Sequence, residues 1–420
     1  DPVTAHHSSP PEDHWREVYA MSESPIEEMG SPLYYIAANA TGAGFPVPPN
    51  LHGQSMRTWV RALSGGQQKE ALVVSAATDT AWRFVCDEGA HLGGFNKAPN
   101  PLTYLSAGMI SSYMNEITAL AEQRGITFKG LELVLENYYY REGDFRRGSM
   151  MSGALPPELT VHCEADCDDQ TLNTLLYEAV AASPLNGLAR GSHPSLFNLV
   201  HNGVELTPTQ VEPLAADSFD DPGDNFPKLE RLADSPAVDD LIVMLVDEDT
   251  ARADHATLEL MGQPELSGDQ QLLHMHTRCV LRPDGVKEIF KEQYSPVAPT
   301  WRFLSSEDGR APDAASLISA GIGLCFMTQL GRFSHMAKID LTGYRIIQDT
   351  HFSLGGASGR TGQAGTAEPV ETHVFLHTDG VDDDTAQQIL GVGERTCFLH
   401  AFCRDDVKAK VRAARSYRAA

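Results

Sequence analysis

Apolar and polar positions alternate over several short stretches of the first half of the chain. "SMRTWVRAL" (55–63) and "KEALVVSAA" (69–77) have strand character and flank Gly65-Gly66, a pattern that predicts a hairpin with the glycines in its turn. "TAWRFVCD" (80–87) predicts a third strand. The period then changes. Asn100-Pro101 combines a good N-cap with a residue suited to the first helical position. Leu102, Leu105, Met109 and Ile117 follow near helical spacing, predicting a largely buried helix that runs to about Gln123 and ends at Gly125. "LELVLENYYY" and "ELTVHCEAD" read as further strands. "DDQTLNTLLYEAVAA" reads as a second helix, with acidic residues at its positive end. Ser183-Pro184 starts a short third helix.

The same order recurs. "SAGMISSYM" (106–114) returns as "SAGIGLCFM" (319–327), 213 residues later, and "TAWRF" (80–84) returns as "PTWRF" (299–303). "RGITFKGLEL" lies over "AKIDLTGYRI", and "DDQTLNTLLYEAVAAS" over "DDDTAQQILGVGERTC". So long a period marks duplication of a domain, not a solenoid. The boundaries that follow are an N-terminal extension (1–29), a first domain (30–205), a linker (206–236) and a second domain (237–420). The linker is rich in Pro and Asp and, at about 30 residues, long enough to pack along the surface. Each repeat reads as an α+β unit with two main helices on an antiparallel sheet. Gly108 and Gly321 inside the repeated helix cost about 1 kcal/mol each, which points to a close neighbour there.

Composition narrows the function. The net charge of −25 argues against nucleic acid and anionic membrane surfaces, leaving a small molecule or a protein as partner. No apolar run approaches the ~20 residues of a membrane helix. The segment "DPVTAHHSSPPEDHW" lacks a signal-peptide core. Seven irregularly spaced cysteines do not read as a secreted disulfide framework, so cytoplasmic residence with reduced thiols is expected.

The segment "GGFNKAPNPLTYLSAGMISSYMNEITALAEQRGI" (93–126) resembles the central helix of the OsmC/Ohr family, with its Gly-Gly turn, Asn-Pro start and small-residue-rich helix ending at a cysteine. A second family cysteine follows at the start of a short helix. Ser112 and Ser183, 71 residues apart, occupy these positions in the first repeat; Cys325 and Cys397, 72 apart, occupy them in the second. The resemblance implies two OsmC-like domains in tandem, folded as an intramolecular pseudo-dimer. It also implies thiol-dependent reduction of organic hydroperoxides, with Cys325 attacking, Cys397 resolving and an external dithiol restoring the pair. Serine can do neither step. The family's Glu after Asn-Pro is replaced here by Leu102 and Ala315.

Cys325 lies some twelve residues into its helix, beyond the reach of the dipole, so thiolate formation needs a nearby cation. Arg57, Arg61 and Arg278 are the candidates; Arg83 and Arg302 recur in "WRF" and read as structural at least as much as catalytic. Cys403, six residues after Cys397, could compete as the resolving thiol but reads more simply as a buried core residue. His274 and His276 share one strand face but lack a third zinc ligand, and "CEADC" (163–167) has no partner pair, so neither a metal nor a cofactor is expected. "ENYYYREGDFRR" (136–147) reads as the finish of a strand more than as pocket lining. Two other functions stay open: a hydrolase with Cys325 as covalent nucleophile on a small organic substrate, and a non-enzymatic binder of apolar ligands. Further self-association of the pseudo-dimer also stays open.

Overall fold

The computed structural model describes residues 24–30, 32–63, 67–144, 148–255 and 271–415. The first half contributes helix α1 (Pro25–Met29), strands β1 (Tyr35–Ile36), β2 (Gly53–Ala62), β3 (Lys69–Ser75) and β4 (Ala81–Cys86), helix α2 (Pro101–Arg124), strands β5 (Phe128–Glu142) and β6 (Met151–Ala165), helices α3 (Asp169–Ala182) and α4 (Asn186–Gly191), and strands β7 (Leu196–His201) and β8 (Val204–Leu206). After β9 (Glu212–Pro213) the second half runs through β10 (Ile242–Val246), α5 (Glu248–His255), β11 (Gln271–Leu281), β12 (Lys287–Ser295), β13 (Val297–Ser305), α6 (Ala314–Met336), β14 (Leu341–Ser353), β15 (Glu371–Thr378), α7 (Asp383–Thr396), α8 (Phe398–Arg404) and β16 (Lys410–Ala414). The β2–β3 hairpin forms as expected, although its Gly65-Gly66 turn lies outside the described residues.

Capping chemistry fixes the two long helices. Asn100 precedes α2, and its side chain accepts from the Thr103 N–H at 3.3 Å. Asp313 does the same for α6, from the Ser316 N–H at 2.8 Å. Gly125 ends α2 in the left-handed conformation (φ 65°).

The strands assemble across the two halves. One sheet runs β1-β4-β3-β2-β14-β15-β7-β8, with β9 also on β7; the other runs β10-β13-β12-β11-β5-β6-β16. Each sheet therefore starts with four strands from one half, continues into two from the other and ends back in the half it started from. The expectation that each repeat carries its own sheet is corrected here: β2 finds its neighbour in β14 and β11 finds its neighbour in β5. The sheets are also not purely antiparallel. β7 joins β15, and β16 joins β6, in parallel. β7 and β16 each follow a helical pair that carries the chain from one sheet to the other.

Helix α6 lies on β2, β3 and β14, and α2 lies on β11, β12 and β5. The two helices pack on each other between the sheets, and the internal glycines permit it. A Cβ at Gly108 would stand 2.5 Å from Ile318 Cγ1, and one at Gly321 would stand 3.0 Å from the Leu105 nitrogen. Contrary to the expectation of no membrane-length apolar run, Ala314–Met336 is long and apolar enough to cross a membrane, but its whole apolar window is buried inside the protein. The linker packs on the outer face of the first sheet, where Phe226 stacks edge-on against Phe45 at 5.2 Å.

Candidate active site

Cys325 sits mid-way along α6, and Cys397 caps the junction of α7 and α8. Both are buried, and the two thiols lie close enough to influence each other's ionisation. Burial, reinforced by Cys325, pushes the Cys397 thiol well up; the N–H groups of His400 and Leu399 pull the other way. A cavity of about 40 Å³ reaches Cys325 and has room for a few water-sized groups. Its wall includes Glu88, Arg141, Gln293, Arg332 and Phe398. Arg332 is seven residues after Cys325, two turns on along the same helix face. Arg141 comes from the end of β5 and Glu88 from the segment after β4, so the wall combines residues of both halves.

The charges around this cavity are held in a low-dielectric setting. Arg141 is drawn down to about 9, first by burial and then by Arg332, against the attraction of Glu88 and Cys325. Its side chain lies over the Phe398 ring at 5.2 Å, and its Nε has no hydrogen-bond partner among the described residues. Glu88 is raised by burial, which outweighs the pull of Arg332, Lys69 and Arg141. Two guanidinium groups and the Glu88 carboxyl thus share this cavity wall with Cys325. Cys403 is buried, and burial pushes its thiol up to about 12, an environment that makes it inert as a nucleophile.

The equivalent place in the first half is filled. Ser112 and Ser183 are hydrogen-bonded at 2.8 Å, and Ser183 Oγ accepts from the Asn186 N–H at 3.2 Å. At the 213-residue offset, Ala119 stands where Arg332 does, and Leu354 where Arg141 does. The glycine-rich loop after β14 closes over the pair. A Cβ on Gly365 would lie 2.3 Å from the Pro184 nitrogen. Buried Glu116 anchors the loop, accepting from the Ala357 N–H at 2.8 Å and from the Ser358 N–H and hydroxyl.

The structure brings Cys325 and Cys397 together but not the three candidate arginines. Arg57 donates to both oxygens of Asp349 at 2.7 and 2.6 Å and lies over Phe219. Arg61 pairs with Glu70 and Asp224. Arg278 pairs with Glu132 at 3.1 Å and lies over Phe290. Each points to a carboxylate near its own strand, and none lines the cavity. Arg83 is likewise held by Glu70. Glu136 sits between His274 and His276, at 2.7 and 2.6 Å. Their hydrogen bonds overcome the opposing effect of burial and bring its carboxyl down to about 2.

The charged residues of the cavity wall, Arg332, Glu88 and Arg141, were not among the sequence candidates. The i+7 spacing from Cys325 was a readable signal for Arg332. Glu88 was readable too: a glutamate follows "WRF" at the same distance in both halves, at Glu88 and Glu307. Arg141 falls in the stretch read as a strand finish. Only the joining of β5 to β11 puts it over a helix of the other half.

Residues 307–412 match the family model described as OsmC-like protein, a span that holds Cys325, Arg332 and Cys397. A search of curated proteins finds no match. Among solved structures, an OsmC-like hydroperoxide resistance protein from Jannaschia sp. ccs1 is similar at 20% identity, over 30% of this chain and 83% of that one, with a TM-score of 0.18. An overlap that small carries no argument by itself.

Proposed function

We propose that this chain, whose residues 307–412 form an OsmC-like domain, reduces organic hydroperoxides at a single dithiol site built on Cys325 and Cys397. The observation that carries this reading is the contact between the two buried thiols beside a cavity walled by Arg141, Arg332 and Glu88. The proposed first half is a second, degenerate copy of the same domain, and the chain a fused pseudo-dimer. The exchange of strands between the halves supports that view.

In the proposed cycle the Cys325 thiolate attacks the hydroxyl-bearing oxygen of R–O–O–H. The S–O bond forms, the O–O bond breaks, and the electron pair leaves on the alkoxide, which takes up a proton to give R–OH. Arg141 and Arg332 would stabilise the thiolate before attack and the developing alkoxide during it. The Cys397 thiol then attacks the sulfenic acid, forming a disulfide and releasing water. An external dithiol returns both cysteines to thiols and leaves as its own disulfide. A reducing compartment such as the cytoplasm fits this need. The test is consumption of tert-butyl hydroperoxide by the full chain with dithiothreitol as reductant. Turnover lost in Cys325→Ser is expected; no turnover in the wild-type chain would refute the reading.

A further inference from the structure

We propose that Gln293 is a further catalytic residue of this site, whose side-chain amide donates a hydrogen bond to the peroxide oxygen that leaves as alkoxide. The inference rests on the peroxidase reading above. Gln293 is on β12, only 5% exposed, and lines the same cavity as Cys325.

A chain of hydrogen bonds fixes its orientation. The Thr103 N–H and hydroxyl donate to Asn100 Oδ1, at 3.3 and 3.0 Å, so the other end of that amide is the donor. Asn100 Nδ2 donates to Gln293 Oε1 at 2.7 Å. Lys291 Nζ, fully buried on the same strand, donates to the same oxygen at 3.2 Å. With Oε1 taken by two donors, the Gln293 side chain presents its two amide N–H groups to the remaining side. A neutral donor suits the place. It adds no charge to a site that already holds two guanidinium groups, and it becomes most favourable as negative charge builds on the departing oxygen. The network also explains a buried lysine in the middle of a strand: it holds the carbonyl end of Gln293 away from the reacting oxygens, where an acceptor would repel the alkoxide.

The experiment compares two rates at Cys325 in the full, reduced chain: oxidation by tert-butyl hydroperoxide and alkylation by iodoacetamide. Gln293→Met keeps the volume and removes the donor. We expect its oxidation rate to fall on the order of 10²-fold, the usual cost of losing one such donor, with alkylation within about twofold of wild type. Lys291→Met leaves the cavity wall untouched and should give a smaller loss of oxidation, because Asn100 still holds the oxygen. An unchanged oxidation rate in Gln293→Met would overturn the proposal. So would equal losses of oxidation and alkylation, which would mean a disturbed wall and not a lost donor. A wild-type thiol that alkylates but never reacts with the peroxide would instead overturn the peroxidase reading, and this inference with it.

Discussion

The Ser112–Ser183 and Cys325–Cys397 pairs occupy aligned places in the two halves and teach how differently two such places can be surrounded. Both pairs sit between a central helix and the start of a short one; the serines are hydrogen-bonded at 2.8 Å, and the cysteines lie close enough for Cys325 to push the Cys397 thiol up. They differ in what stands around them. The cysteine pair has Arg141, Arg332 and Glu88 beside open space. The serine pair has Leu354 and Ala119 at the arginine positions and a glycine loop packed onto it. The corresponding carboxylate, Glu307, is paired with Lys287 at 3.1 Å and accepts from the Asn115 amide at 2.8 Å. Serines at the thiol positions, uncharged residues at the arginine positions and a packed loop thus come together on this side.

The sharpest way to break this contrast is to remove a cation from the open side. Arg141→Met should slow oxidation of Cys325 by roughly 10²–10³-fold, read by stopped-flow fluorescence or by mass-resolved quenching. An effect below threefold would take Arg141 out of the chemistry. Next comes the seal on the closed side. Gly365→Ala places a methyl against the backbone of Ser183 and Pro184 and should destabilise the chain by ~1–3 kcal/mol. Denaturant unfolding reads that loss, and Cys325 reactivity should stay unchanged.

A smaller effect is expected from Ser112→Ala, which leaves Ser183 without one buried partner and should cost ~1 kcal/mol in the same unfolding assay. The smallest is expected from restoring the thiols. The double substitution Ser112→Cys and Ser183→Cys, made in a Cys325→Ser background, should give no peroxide turnover, because neither the arginines nor the cavity returns. Turnover in that variant would show that the thiols alone make the site.

Much of this contrast was legible in the sequence. The helix starts at Asn100 and Asp313 could be read directly, because capping and periodicity are local. The arginines could not. Arg57, Arg61 and Arg278 looked free on their strands, and only strand register reveals Asp349, Glu70 and Glu132 as their partners. Arg141 reaches Cys325 because β5 of one half joins β11 of the other, a pairing more than 130 residues apart in the chain. Periodicity along one segment carries no trace of such a neighbour.

The most direct measurement is mass spectrometry of the fully reduced chain after one equivalent of tert-butyl hydroperoxide. One disulfide between Cys325 and Cys397, absent in Cys325→Ser, is the predicted result. Unmodified thiols at both positions after the peroxide has been left to react would contradict a dithiol peroxidase at this site.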